Sequence, residues 1–116
     1  MSKIRVLLAD DHAVLRAGLR LLVNHQQDME VVAEAGTFAE AIRLTRIAKP
    51  DVITLDLTMP DGNGIDKIEQ VCSACPTAHV LVLTMHDHAA YLRAALSAGA
   101  SGYVLKDGSF DELALA

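Results

Sequence analysis

Five polar residues stand at the ends of short apolar runs. Asp10 and Asp11 follow Ile4–Ala9, Asp56 follows Asp51–Leu55, Thr84 closes His79–Thr84, and Lys106 follows Gly102–Leu105. In a parallel sheet every C-terminal strand end lies on the same edge, where open α/β folds build their sites, so these groups can converge. Carboxylates held close repel one another, and a lysine together with a divalent cation is the natural compensation. Two or three carboxylates, a carbonyl and waters form a hard oxygen donor set suited to Mg²⁺, or to Mn²⁺ in its place. Asp56 then has two roles open to it, pure ligand or nucleophile that becomes an aspartyl phosphate. Alone, Asp10 reads as a helix cap and Asp56 as a turn cap. An acidic pair, a lone acid, a hydroxyl and a lysine at four different strand ends outweigh that simpler reading.

The elements that must position these groups follow from periodicity. Ile4–Ala9 is a candidate first, central strand. Asp10-Asp11-His12 opens a helical segment with Val14, Leu15, Leu19, Leu22 and Val23 as its apolar positions, and Gly18 within it is expected to permit close packing. Met29–Ala35 is a second strand. Thr37-Phe38-Ala39-Glu40 has the capping-box pattern for a helix to about Ala48, packing through Ala41, Ile42, Leu44, Thr45 and Ile47 and stopped by Lys49-Pro50. The third strand ends at Asp56. Ile65, Ile68, Val71, Cys72 and Cys75 mark the face of a helix that Pro76 ends. His79–Thr84 is a fourth strand, and His88–Ala98 a helix with a Leu92/Ala95/Leu96 stripe and Gly99 as its C-terminal cap. Gly102–Lys106 is a fifth strand, and Ser109 starts a final helix, with Phe110 and Leu113, that is short or truncated. Strand–helix alternation with short connections predicts an α/β fold, a parallel five-stranded sheet with helices on both faces.

Composition narrows the function classes. The 116 residues suit one domain, 52% of them are hydrophobic and 22% charged, and the formal net charge is −5. That balance argues against nucleic-acid contact by this domain itself, because phosphate binding needs clustered Lys and Arg. Charges interrupt every candidate membrane span, and the start lacks a signal peptide's apolar segment, so a soluble cytoplasmic protein without a membrane partner is expected. Cys72 and Cys75 lie within a helical pattern and read as two reduced thiols rather than a redox pair. Of the histidines, His12 opens a helix and His79 a strand, His86 and His88 are expected near the acidic pocket, and the four do not read as a transition-metal set.

The segments V-L-L-A-D-D, D-V-I-T-L-D-L-T-M-P-D-G-N-G, V-L-V-L-T and G-A-S-G-Y-V-L-K-D, in this order and spacing, resemble the receiver (phosphoacceptor) domain of two-component response regulators. The D-D-H-x-x-x-R-x-G-L start (Asp10–Leu19) and Lys106-Asp107 are similar to receivers that precede a LuxR-type helix-turn-helix DNA-binding domain. The resemblance implies a flavodoxin-like receiver fold over residues 1–116 with strand order 2-1-3-4-5, and a C-terminal output domain beyond them. It implies that Asp56 is the phosphoacceptor and that Asp11 binds Mg²⁺ directly, with Asp10 acting through a ligated water and Thr58 through its backbone carbonyl. By the same resemblance Lys106 pairs with Asp56 and then holds a phosphoryl oxygen, Thr84 hydrogen-bonds the phosphoryl group, and Tyr103 changes rotamer as Thr84 moves. The implied partners are a sensor histidine kinase and, after phosphorylation, a second copy of the protein; DNA is reached only through the output domain. Many receivers have Lys-Pro where this chain has Lys106-Asp107.

Three other readings compete with this one. An aspartyl-phosphate hydrolase also uses Asp and Mg²⁺, but D-x-D is expected after its first strand, and Asp56-Leu57-Thr58 lacks the second acid. A dinucleotide or flavin module needs a phosphate-cradling G-x-G-x-x-G, which D-D-H-A does not supply. A phosphorylation-independent receiver used as a protein-binding module shares the fold, and the intact acidic set argues against it.

Overall fold

Hydrophobic runs too apolar for a half-exposed sheet become five parallel strands covered on both sides. The computed structural model describes residues 3–63, 65–84 and 89–105. The strands are β1 (Ile4–Ala9), β2 (Met29–Ala35), β3 (Val52–Asp56), β4 (His79–Thr84) and β5 (Gly102–Leu105), hydrogen-bonded in the order β2-β1-β3-β4-β5. The helices are α1 (Ala13–His25), α2 (Phe38–Ala48), α3 (Ile65–Ala74) and α4 (Ala89–Ser97). This is the parallel α/β sheet expected from the strand–helix alternation, in the flavodoxin-like strand order that the resemblance implies. The final helix from Ser109, Lys106 with Asp107, and His86 and His88 lie outside the described residues.

Alternation along each strand divides the core in two. Leu7, Ala9, Ile53, Leu55, Val80 and Val82 face one side and pack with Phe38 and Ala41 of α2, Ile68 and Val71 of α3, and Ala95 of α4. Val6, Leu8 and Leu83 face the other side and pack with Leu19 and Val23 of α1. The sheet is therefore sandwiched, and its C-terminal edge is left open between the layers.

Helix ends follow their local chemistry. Thr37 caps α2, its hydroxyl accepting from the Glu40 N–H at 3.1 Å, and the helix ends on Lys49 in the left-handed region at φ 48° before Pro50. Gly99, at φ 115°, closes α4 as the Ala100 N–H reaches back to the Ala95 carbonyl at 3.0 Å.

Four expectations about packing are corrected. Gly18 makes no close approach: a Cβ there would meet nothing within 4 Å. Val14 is 89% exposed, because the inner stripe of α1 runs through Leu15, Leu19 and Val23. Ile47 is 67% exposed, because α2 turns Phe38, Ala41 and Thr45 inward, leaving Ile47 two residues beyond on the far side. In α4 only Ala95 of the expected stripe is buried; the helix meets the sheet through a small residue, and Leu92 and Leu96 stay at the surface.

Candidate functional site

The register brings the strand ends to one edge, as parallel pairing requires. Ala9 is opposite Ala35 on one side and Leu55 on the other, Asp56 is opposite Leu83, and Thr84 is opposite Leu105. Asp10, one residue beyond β1, and Asp56, the last residue of β3, are thereby neighbours. Both are nearly inaccessible, at 1% and 3% exposure. Two carboxylates are seldom buried together without a compensating charge.

The site has a wall and a mouth. The Asp10 N–H donates to the Ala35 carbonyl at 2.9 Å, fixing the start of the loop against β2. The Asp10 Oδ1 accepts from the His12 N–H at 2.8 Å, a turn that places its side chain inward rather than along the helix as a cap. Asp11 and His12 stand at the rim. The His12 Nδ1 lies 3.2 Å from Asp10 Oδ1, 3.3 Å from Asp11 Oδ1 and 3.9 Å from Asp56 Oδ2. Ligand atoms of Asp10, Asp11, His12 and Asp56 all fall within 4.8 Å of one another. An oxygen-dominated set of this spacing fits a hard divalent cation such as Mg²⁺ or Mn²⁺.

Thr58 belongs to a small antiparallel hairpin, Thr58–Met59 with Gly62–Asn63, directly after Asp56. Thr84 ends β4 on the site's edge, and Tyr103 sits mid-strand in β5, partly buried against the larger core cluster. Lys106, the residue after β5, lies outside the described residues.

Three side chains around the site were not picked out from the sequence. His12, expected to open a helix, does flank α1, and its ring also joins the acids. Arg16 donates to the Asp10 carbonyl at 2.7 Å and to Glu34 at 3.2 Å, tying α1 to the acidic loop and to β2. Asp61 in the hairpin turn accepts from the Phe38 N–H at 2.9 Å and the Ala39 N–H at 3.0 Å, at the start of α2. The Phe38 N–H bond, followed by that of Ala39 and by the charge of Lys67, outweighs desolvation and holds the Asp61 carboxyl below its ordinary value. The signal for Arg16 was its spacing in D-D-H-x-x-x-R; nothing local announced Asp61. The two cysteines are free thiols, with Cys75 buried and the Cys72 thiol pushed up by burial and by Glu69.

The response regulator receiver domain model matches residues 6–116. The chain belongs to that family. It is a receiver domain of a two-component response regulator, a phosphoacceptor module whose chemistry is its own phosphorylation and dephosphorylation. The receiver is 42% identical over 113 residues to the oxygen regulatory protein NreC of Staphylococcus epidermidis, covering 97% of this chain and 52% of that protein. It thus spans about half the length of the curated relatives it matches. Among solved structures, a LuxR-family two-component response regulator from Aurantimonas sp. SI85-9A1 superposes with a TM-score of 0.91 at 40% identity, covering 99% of this chain and 82% of that one. A response regulator from Burkholderia pseudomallei, solved with a phosphorylated aspartic acid, a calcium ion and citrate, superposes with a TM-score of 0.85 at 28% identity, covering 94% and 63%.

Proposed function

We propose that Asp56 is the phosphoacceptor of a Mg²⁺-dependent signalling switch. The observation that carries the proposal is the burial of the Asp56 carboxylate at the C-terminal tip of β3, with ligand atoms of Asp10, Asp11 and His12 no more than 4.8 Å away. The Burkholderia relative, with its phosphorylated aspartic acid and calcium ion, supports the pairing of aspartyl phosphate with a divalent cation.

Asp11 and Asp56 would hold the cation directly, together with the Thr58 carbonyl. Asp10 would act through a water on the cation, a division supported by the bond its Oδ1 already accepts from the His12 N–H. When bound, the cation neutralises charge on the phosphoryl oxygens. The chain's own residues do the rest. One Asp56 oxygen forms the new P–O bond as the donor's P–N bond breaks, and the electron pair leaves with the histidine nitrogen of the donor. Asp56 is a weak nucleophile, so its contribution is fixed position. Lys106 pairs with Asp56 before transfer and with a phosphoryl oxygen after it, Thr84 donates its hydroxyl to the phosphoryl group, and Tyr103 follows Thr84. The added charge of about −1.5 to −2 shifts the population toward the state in which these residues are drawn in.

The donor is a phosphohistidine on a sensor kinase, and the output is pairing of two receivers. Exposed Leu92 and Leu96 on α4 support an apolar contact between copies. Residues 1–116 form the receiver of a longer regulator whose C-terminal LuxR-type domain binds DNA and controls transcription, a reading supported by the LuxR-family relative. A cytoplasmic location agrees with the described residues, in which no helix is long and apolar enough to cross a membrane.

Exposure to acetyl phosphate, with and without Mg²⁺, followed by intact-mass spectrometry tests the proposal. A gain of one phosphoryl group that needs Mg²⁺ and disappears in Asp56→Asn is expected. No gain, or a gain that survives Asp56→Asn, overturns it and leaves a phosphorylation-independent binding module.

A further inference from the structure

We propose that Asp61 is a positioning residue for the metal centre, fastening the hairpin after Asp56 to the first turn of α2 so that the Thr58 backbone is held beside the acidic pocket. The inference rests on the reading of Thr58 as a ligand. It starts from the way the hairpin is anchored. At its base, Leu57 and Met59 are buried, at 2% and 5% exposure, and the Leu57 N–H bonds the Leu83 carbonyl at 3.3 Å. Thr58 lies between these two core residues and pairs with Asn63 across the hairpin. The arms are only two residues long, too short to be rigid on their own pairing.

The far end is held by Asp61 alone among the described hydrogen bonds. Its two carboxylate oxygens take separate partners, Oδ1 the Phe38 N–H at 2.9 Å and Oδ2 the Ala39 N–H at 3.0 Å. A carboxylate bridging successive N–H groups at a helix start is favoured both by the unpaired donors there and by the helix dipole. The helix does not need Asp61 to begin, because Thr37 already accepts from the Glu40 N–H. The partner side of the clamp is set in the core: Phe38 is fully buried in the same cluster as Leu57 and Met59. Core packing at the base and the Asp61 clamp at the turn therefore fix the hairpin from both ends, and Thr58 lies between them.

A clamp and a simple helix cap differ in what they do to metal binding. Mg²⁺ titrations by calorimetry on wild type, Asp61→Asn, Asp61→Ala and Thr37→Ala separate them. Asp61→Ala is expected to weaken Mg²⁺ binding on the order of tenfold, the scale of groups that orient metal ligands without touching the metal. Asp61→Asn, which removes the same charge but keeps an acceptor oxygen, is expected to lose less. Thr37→Ala, which weakens the same helix start without touching the hairpin, is expected to leave Mg²⁺ affinity unchanged. At saturating Mg²⁺ the Asp61 variants should keep the maximal rate of phosphorylation by acetyl phosphate, since only the positioning of a ligand is lost. Displaced Phe38 and Ala39 amide resonances will report that the clamp has opened in a folded protein. Unchanged Mg²⁺ affinity in Asp61→Ala with those resonances displaced overturns the inference. Equal losses in Asp61→Asn and Asp61→Ala also overturn it, since charge alone then explains them, as does a matching loss in Thr37→Ala. Failure of the underlying reading is distinct: wild type then binds no Mg²⁺, or binds it equally well as Asp56→Asn.

Discussion

Replacing Asp56 with Asn should make the metal-free protein more stable. Asp10, Asp11 and Asp56 present oxygens no more than 4.8 Å apart, and at an effective dielectric of about 20 two unit charges at that distance repel by about 3.5 kcal/mol. Asp56 faces two such neighbours in the folded state and neither when the chain unfolds. The Lys106 charge proposed to pair with Asp56 offsets about one of these repulsions, and water at Asp11, whose side chain is 30% exposed, reduces the remainder to about 1–3 kcal/mol. Asn keeps the shape of Asp, so the cavity and strain terms are small. Urea unfolding of both proteins in EDTA, followed by circular dichroism, measures the difference. The same experiment in MgCl₂ carries the sharper expectation. A cation at tenfold its dissociation constant stabilises wild type by about 1.4 kcal/mol, and Asp56→Asn, with a weakened site, gains less. The gap should therefore narrow with Mg²⁺. A variant less stable than wild type in EDTA, or a gap indifferent to Mg²⁺, refutes the electrostatic reasoning.

Other consequences of the structure can be measured in the same way. Arg16→Ala removes a charged donor from the Asp10 carbonyl and a partner from Glu34, and should cost about 2–3 kcal/mol in urea unfolding. Gly18→Ala, at a helical position with space for a Cβ, should add about 0.5–1 kcal/mol to stability. Thr45→Val should leave stability unchanged or raise it by about 1 kcal/mol, since the buried Thr45 hydroxyl has no partner among the described residues. Because the Phe38 and Ala39 N–H groups hold the Asp61 carboxyl below its usual 3.8, its stabilising contribution is present above that pH and is lost as pH falls through the lower folded value. Acid titration of wild type against Asp61→Asn should thus show the advantage of wild type shrinking below 3.8.

What could be read from the sequence was whatever depends on local pattern. The strands announced themselves because burial on both faces leaves long apolar runs, and Asp10, Asp11 and Asp56 stood out as acids ending them. Thr37 and Gly99 could be read as caps because capping is decided within a few residues. The packing faces were less legible. Periodicity selects a stripe but not its centre, so Val14, Ile47, Leu92 and Leu96 were assigned to faces that the sheet does not cover. The site's helpers were harder still. His12 and Arg16 depend on how α1 leaves β1, and Asp61 acts on a helix start that is distant in sequence, a contact created by tertiary structure alone.

The central claim is that Asp56, and no other carboxylate in this acidic cluster, takes the phosphoryl group. Borohydride reduction of the acetyl phosphate-treated protein, which converts an aspartyl phosphate to homoserine, followed by tandem mass spectrometry of the peptides, locates the acceptor directly. Homoserine at position 56 alone, formed only when Mg²⁺ was present, is the predicted result. Homoserine at Asp10, Asp11 or Asp61, or at position 56 without Mg²⁺, contradicts it.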